Sequence, residues 1–229
     1  ARRRPAGALR RQAVYPGHVA CTTSPFEALP PPRQGWDRTR RGREPVAVID
    51  LAGYVADLKD HAIGHGFHIH DERHFIETYS LRQTWEVELH PEEGCGGPVD
   101  LHLALDIDPR TLLAFEDVVM SLPDEESPPD AFHFALTFTW DLPPLAHGPD
   151  LLLLATELAG VGGPDLPLEV SAIDSFPAAT DAPQRTLSVA ARRQVSMSQV
   201  LQGEEQTCEL LEGCLAVSRY LLEHGNDWI

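Results

Sequence analysis

The stretch VDLHLALDI, residues 99–107, decides the fold class. Val99, Leu101, Leu103, Leu105 and Ile107 take every second position, with Asp100, His102, Ala104 and Asp106 between them. Successive side chains of a strand point to opposite faces, so this pattern buries one face and leaves the other polar. A sheet covered on both sides would read apolar throughout. Strict alternation asks instead for an antiparallel or mixed sheet with helices on one side. Asp108 and Pro109 follow: a capping carboxylate, then a proline where the first helical turn needs no amide hydrogen. Leu112, Leu113, Phe115, Val118, Val119 and Leu122 recur at helical spacing until Pro123.

Neighbouring segments repeat the theme. TWEVELH (84–90) and AFHFALTFTW (131–140) alternate, turning Trp85, Val87 and Leu89, and Phe132, Phe134, Leu136, Phe138 and Trp140, toward the core. Upstream, VIDLAGYVADLKDHAIGHG (48–66) sets Leu51, Tyr54, Val55, Leu58 and Ala62 on one helical face, with Asp50 as N-cap and Gly66 as stop. FHIHD (67–71) opens a strand. Further strands are predicted at 151–157 (from LLLLA), 167–173 and 185–197. A closing helix over about 203–224 starts with Glu204 and Glu205 and ends at Gly225-Asn226.

The order is helix, three strands, helix, four strands, helix. It predicts an α+β fold: an antiparallel or mixed sheet of about five to seven strands, helices packed on one face, and a long C-terminal helix. This order is similar to that of small acidic secretion-chaperone-type folds, a similarity of element order that no motif accompanies.

Charge divides the chain. Residues 1–45 carry ten arginines against Glu27, Asp37 and Glu44, include PPP, and show no sustained period. They read as a basic Arg/Pro-rich tail: a disordered arm, a targeting segment, or sequence foreign to the native domain. Residues 46–229 are expected to form a single acidic α+β domain, with eight basic residues against 32 acidic ones in a chain of net charge −17. Such a body repels nucleic acid and anionic membranes and attracts basic or cationic partners. No apolar run of about eighteen residues is present, so no membrane-spanning helix is expected. Cys21, Cys95, Cys208 and Cys214 show neither C-x-x-C nor zinc-finger spacing, which fits reduced thiols and a cytoplasmic location.

Five of the eleven histidines fall in HAIGHGFHIHDERH, residues 61–74. His61 and His65 are four apart on a helix, and His68 and His70 two apart on a strand. Both spacings suit zinc or another divalent transition metal, with Asp71, Glu72 or His74 available to complete the set. Weighing against this, a helix C-terminus favours histidine through its dipole, and outward strand positions are polar in any case. A second group lies on the polar sheet face: His68, Glu86, Glu88, His90, His102, Asp106 and His133, with Ser188, Arg192 and Gln194 from the last strand, a set that could do acid–base chemistry or hold a metal.

No nucleophile elbow, P-loop or dinucleotide fingerprint is present. Two function classes therefore compete. The residues alone favour a non-enzymatic interaction or binding module, adaptor- or chaperone-like. It would need no cofactor and would offer an acidic surface to a protein with a basic one, with homo-oligomerisation left open. The alternative is a metal-dependent hydrolase using His61, His65, His68, His70 and Asp71.

The strand phase makes a sharp prediction. Phe134→Ala should cost roughly 3–5 kcal/mol in chemical denaturation, and His133→Ala, one position away, under about 1. Equal costs would show the phase to be wrong.

Overall fold

The computed structural model describes residues 49–123, 126–145, 148–176, 184–203 and 207–228. The basic segment 1–45 and the pair Glu204 and Glu205 lie outside them. Within the described residues, alternation produces six strands: β1 (Phe67–Ile76), β2 (Gln83–Pro91), β3 (Asp100–Ile107), β4 (His133–Asp141), β5 (Leu168–Ser175) and β6 (Gln184–Ser196). They form one sheet in the order β1-β2-β3-β4-β6-β5, with every neighbouring pair antiparallel. The helices are α1 (Leu51–Gly64), α2 (Pro109–Ser121), α3 (Leu151–Gly162), α4 (Met197–Gln202) and α5 (Thr207–Gly225).

The sequence signals act as read at two helix starts. The Asp50 carboxylate accepts from the Gly53 amide at 2.8 Å, and Asp108 accepts from the Arg110 amide at 2.9 Å ahead of Pro109. Each contact satisfies an amide that the first turn leaves without a partner. α1 closes at Gly64, and Gly66 takes φ +91°, a backbone conformation that glycine adopts without penalty.

The inner sheet face carries Trp85, Val87, Leu89, Leu101, Leu103, Leu105, Ile107, Phe134, Leu136, Phe138, Trp140, Leu187 and Val189, all buried. Helices α1, α3 and α5 cover it. Tyr54 of α1 meets Phe134 edge-on, with ring centroids 5.5 Å apart. Leu154 and Leu158 come from α3, and Leu211, Cys214, Val217 and Leu221 from α5.

Two expectations need correction. Residues 151–157 are not a strand but the start of α3. Asp150 accepts from the amides of Leu152 and Leu153, and the buried Leu154 and Leu158 stand one helical turn apart. Leucine suits a helix as well as a buried strand, so a short apolar run cannot separate the two by period. The second correction concerns α2, where Leu113 was expected on the apolar face. It buries only Phe115 fully, against Phe132, and leaves Leu113 and Met120 exposed. The main helical cover comes from α1, α3 and α5.

Close packing of α3 on α5 depends on glycine. A Cβ at Gly213 would stand 2.8 Å from the Gly162 carbonyl oxygen, so only a bare backbone permits this approach. Deeper in, the Trp140 indole donates to Ser218 Oγ at 2.8 Å, and Ser218 donates onward to the Cys214 carbonyl at 2.9 Å. This short relay ties the central strand β4 to α5 and satisfies a fully buried indole.

Ser218→Ala would strand that indole N–H away from water, at a cost of about 1–3 kcal/mol. Ser121→Ala, at an exposed hydroxyl on α2, should stay within about 0.5 kcal/mol. Urea unfolding of the two variants tests the difference.

Candidate metal centre

The β1–β2 hairpin holds the site, and one irregularity makes it. From Ile76↔Gln83 to Asp71↔Glu88 the strands pair residue for residue. Carried on unbroken, that register would set Ile69 opposite His90 and His68 opposite Pro91. A β-bulge between Ile69 and Asp71 instead shifts the register by one, so that His68 lies opposite His90 and Ile69 opposite Leu89. Ile69 and Phe67 keep to the inner face, while Asp71 and Arg73 lie on the outer one. His70 is the extra residue, and it leans toward the outer face beside His68.

Three imidazoles meet there. The His68–His90, His70–His90 and His68–His70 ring centroids are 5.2, 4.6 and 5.7 Å apart. Their ligand nitrogens all lie within 4.8 Å of one another. His68 Nδ1 and His90 Nε2 are 3.4 Å apart. Two nitrogens about 2.0–2.1 Å from a tetrahedral zinc are separated by roughly 3.3 Å, so this pair already has the required spacing. His70 is exposed, and its ligand nitrogen lies within 4.8 Å of the other two. Its Nδ1 faces the Glu88 carboxylate at 4.0 Å.

His90 is the buried member, 2% exposed although it occupies an outward strand position. The β2–β3 loop closes over it. A 3-10 turn at Glu92–Gly94 is bound by Gly97 N donating to Gly94 O at 2.8 Å, and Glu92 N donates to Gly66 O at 3.0 Å. A Cβ at Gly94 would come within 2.7 Å of Leu222 on α5, so the loop lies flat against that helix. An ion pair between Arg219 and Glu93 fastens the same contact. The loop thus sets Cys95 Sγ 3.0 Å from His90 Nε2 and 3.7 Å from His68 Nδ1. Contrary to the reduced thiols expected from the cysteine spacing, Cys95 is disulfide-bonded, so its sulfur is a neutral acceptor and not a thiolate. The residue also borders an open cleft of about 620 Å³ against α5.

The other candidates disperse. His61 Nδ1 turns back to the Asp57 carbonyl at 2.9 Å, and His65 caps α1 with Nδ1 3.9 Å from Glu212. Asp71 is held by Arg73. Glu72 and His74 lie on the opposite face from the cluster, where Glu72 pairs with Lys59 and His74 stacks on Trp85 at 3.9 Å. Along the outer face, His102 lies 3.6 Å from Asp141 and His133 3.3 Å from Asp130, while Asp106 pairs with Arg82. Glu86 and Glu88 line a groove of about 50 Å³ with Asp71, Arg73 and His102. The alternation of the strands set His68 and His90 on one polar face, and the register pairs them there. Only the hairpin register, shifted by the bulge, brings the two segments together.

Burial pushes the His90 pKa below its ordinary value, and repulsion from His70 and then His68 adds to the effect, against a smaller opposing pull from Asp100. A neutral imidazole is the form that binds metal. No family model matches the chain, and neither the curated proteins nor the solved structures compared with it contain a match.

The His90 shift carries a pH signature. Unfolded, the imidazole returns to about 6.5, so the unfolded chain takes up the proton first as the solution is acidified. His90's contribution to stability is therefore intact above 6.5 and declines as pH falls from there toward its folded value. The metal-free protein should be less stable at about pH 5.5 than at about 7.5, and His90→Gln should flatten that slope. An NMR titration placing His90 at or above 6.5 would refute the desolvation argument.

Proposed function

We propose that this domain binds one divalent transition-metal ion through His68, His70 and His90, with zinc as the best match. The observation that carries the reading is the 3.4 Å cross-strand separation of His68 Nδ1 and His90 Nε2, set by the bulge and close to the edge of a zinc coordination tetrahedron. Imidazole suits zinc, copper and nickel, and calcium or magnesium would want oxygen ligands. The acidic body favours the approach of a cation.

Three protein ligands leave a fourth position, which in zinc enzymes holds a reactive water. Neither the groove of about 50 Å³ along Glu88 nor the cleft of about 620 Å³ beside Cys95 is lined by any of the three histidines. That separation of the imidazoles from both hollows supports binding over hydrolysis. The adaptor reading rests on charge and on the polar sheet face, and the spacing of the imidazole nitrogens favours metal binding over it.

Protein purified without a histidine tag and stripped with a chelator should take up one zinc per chain in calorimetric titration. His68→Ala/His90→Ala should abolish that uptake, and His61→Ala/His65→Ala should preserve it. Zinc at about a hundred times its Kd should add roughly 2.7 kcal/mol to the unfolding free energy. Stoichiometric binding that survives the first double variant would overturn the assignment.

A further inference from the structure

We infer that Cys95 is a fourth ligand of this centre, available only when its disulfide is reduced, so that the site switches between an open three-histidine form and a closed His3Cys form. The inference rests on the metal-binding reading and adds to it a redox control. A thiolate sulfur 2.3 Å from zinc lies roughly 3.6 Å from an imidazole nitrogen on the same ion. Cys95 Sγ is 3.0 Å from His90 Nε2 and 3.7 Å from His68 Nδ1, while those two nitrogens are 3.4 Å apart. The three atoms already outline one face of a coordination tetrahedron.

The position is built rather than incidental. Gly94 and Gly97 press the loop onto Leu222, and Arg219 holds Glu93, so Cys95 is aimed at the imidazoles by its contact with α5. Other outer-face groups are less suited. Asp71 is engaged by Arg73, and Glu88 approaches only His70, at 4.0 Å. A disulfide sulfur is a neutral, poor donor, whereas a thiolate is among the strongest zinc ligands. Oxidised, the centre would hold its ion through three imidazoles and solvent. A cellular dithiol would supply two electrons, becoming a disulfide itself as the protein S–S bond breaks, and its two protons would pass to the two sulfurs. The Cys95 thiol then gives up its proton to solvent as the sulfur binds the ion.

Cobalt(II) makes the switch visible, because a bound thiolate adds a sulfur-to-cobalt charge-transfer band in the near ultraviolet to the visible bands of the metal. The full chain would carry Cys208→Ser, which removes the exposed thiol. Cys214 is buried and its thiol pushed far up, so it stays protonated. A phosphine serves as reductant: it is oxidised to its oxide with an oxygen from water, whose protons go to the sulfurs. Reduction should switch on the charge-transfer band and raise cobalt affinity at least tenfold, whereas Cys95→Ser should show neither change. Alkylation of the thiols freed by reduction should abolish the band with Cys95 itself unsubstituted, which guards against a folding defect in the Cys95→Ser variant. One cobalt bound per chain in both states, without the band and with unchanged affinity, would overturn the role of Cys95 and leave the three-histidine site standing. No cobalt bound in either state would overturn both.

Discussion

Everything in this molecule depends on the side on which each strand residue falls. β2, β3 and β4 present unbroken rows of large apolar side chains to one face, and α1, α3 and α5 must close over that face. A slip of one residue in any pair would exchange the buried row for the polar one, so the central register is strongly held. Among the described residues the register shift lies in the β1–β2 pair at one margin of the sheet, between Ile69 and Asp71. There, one added residue reconciles two halves of β1 that are out of phase with each other. Phe67 and Ile69 answer to the core, and beyond the bulge Asp71 and Arg73 take the odd-numbered positions to the opposite side.

The same constraint explains what could be read from the residues. The inner faces of β2, β3, β4 and β6 were legible because period-two alternation is a direct image of the pleat. Asp50 and Asp108 were legible as caps because a short carboxylate before an apolar helical run has a specific amide to satisfy. The LLLL run was ambiguous: without alternation, local pattern could not distinguish a buried strand from a helix, and the docking of α3 on α5 decides it. The weak burial of α2 depends on what packs against it, which its own periodicity does not record. The histidine cluster was half legible. His68 and His70 announce themselves by proximity in the chain, whereas His90 and Cys95 arrive through a register shift and a loop seated on a distant helix.

That seat links the far end of the chain to the hairpin. Leu222 and Arg219 belong to the last turns of α5, and they shape the loop that covers His90. The Trp140–Ser218–Cys214 relay holds the same helix on the middle of the sheet. Placement of the imidazoles therefore traces back to core packing as well as to contacts among the histidines, and core packing supplies the rigidity that a preorganised site would require.

The bulge has a further consequence unrelated to its histidines. β1 is an outer strand of the sheet, and a long regular edge is an open template on which another chain could continue the ladder. The inserted residue breaks the spacing of the edge amides and carbonyls, and Asp71, Glu72 and Arg73 set charges beside the break. An approaching strand would find neither a matching comb of donors and acceptors nor a neutral surface. The device that gathers the imidazoles on one side of the hairpin thus also guards the other margin against growth into aggregates.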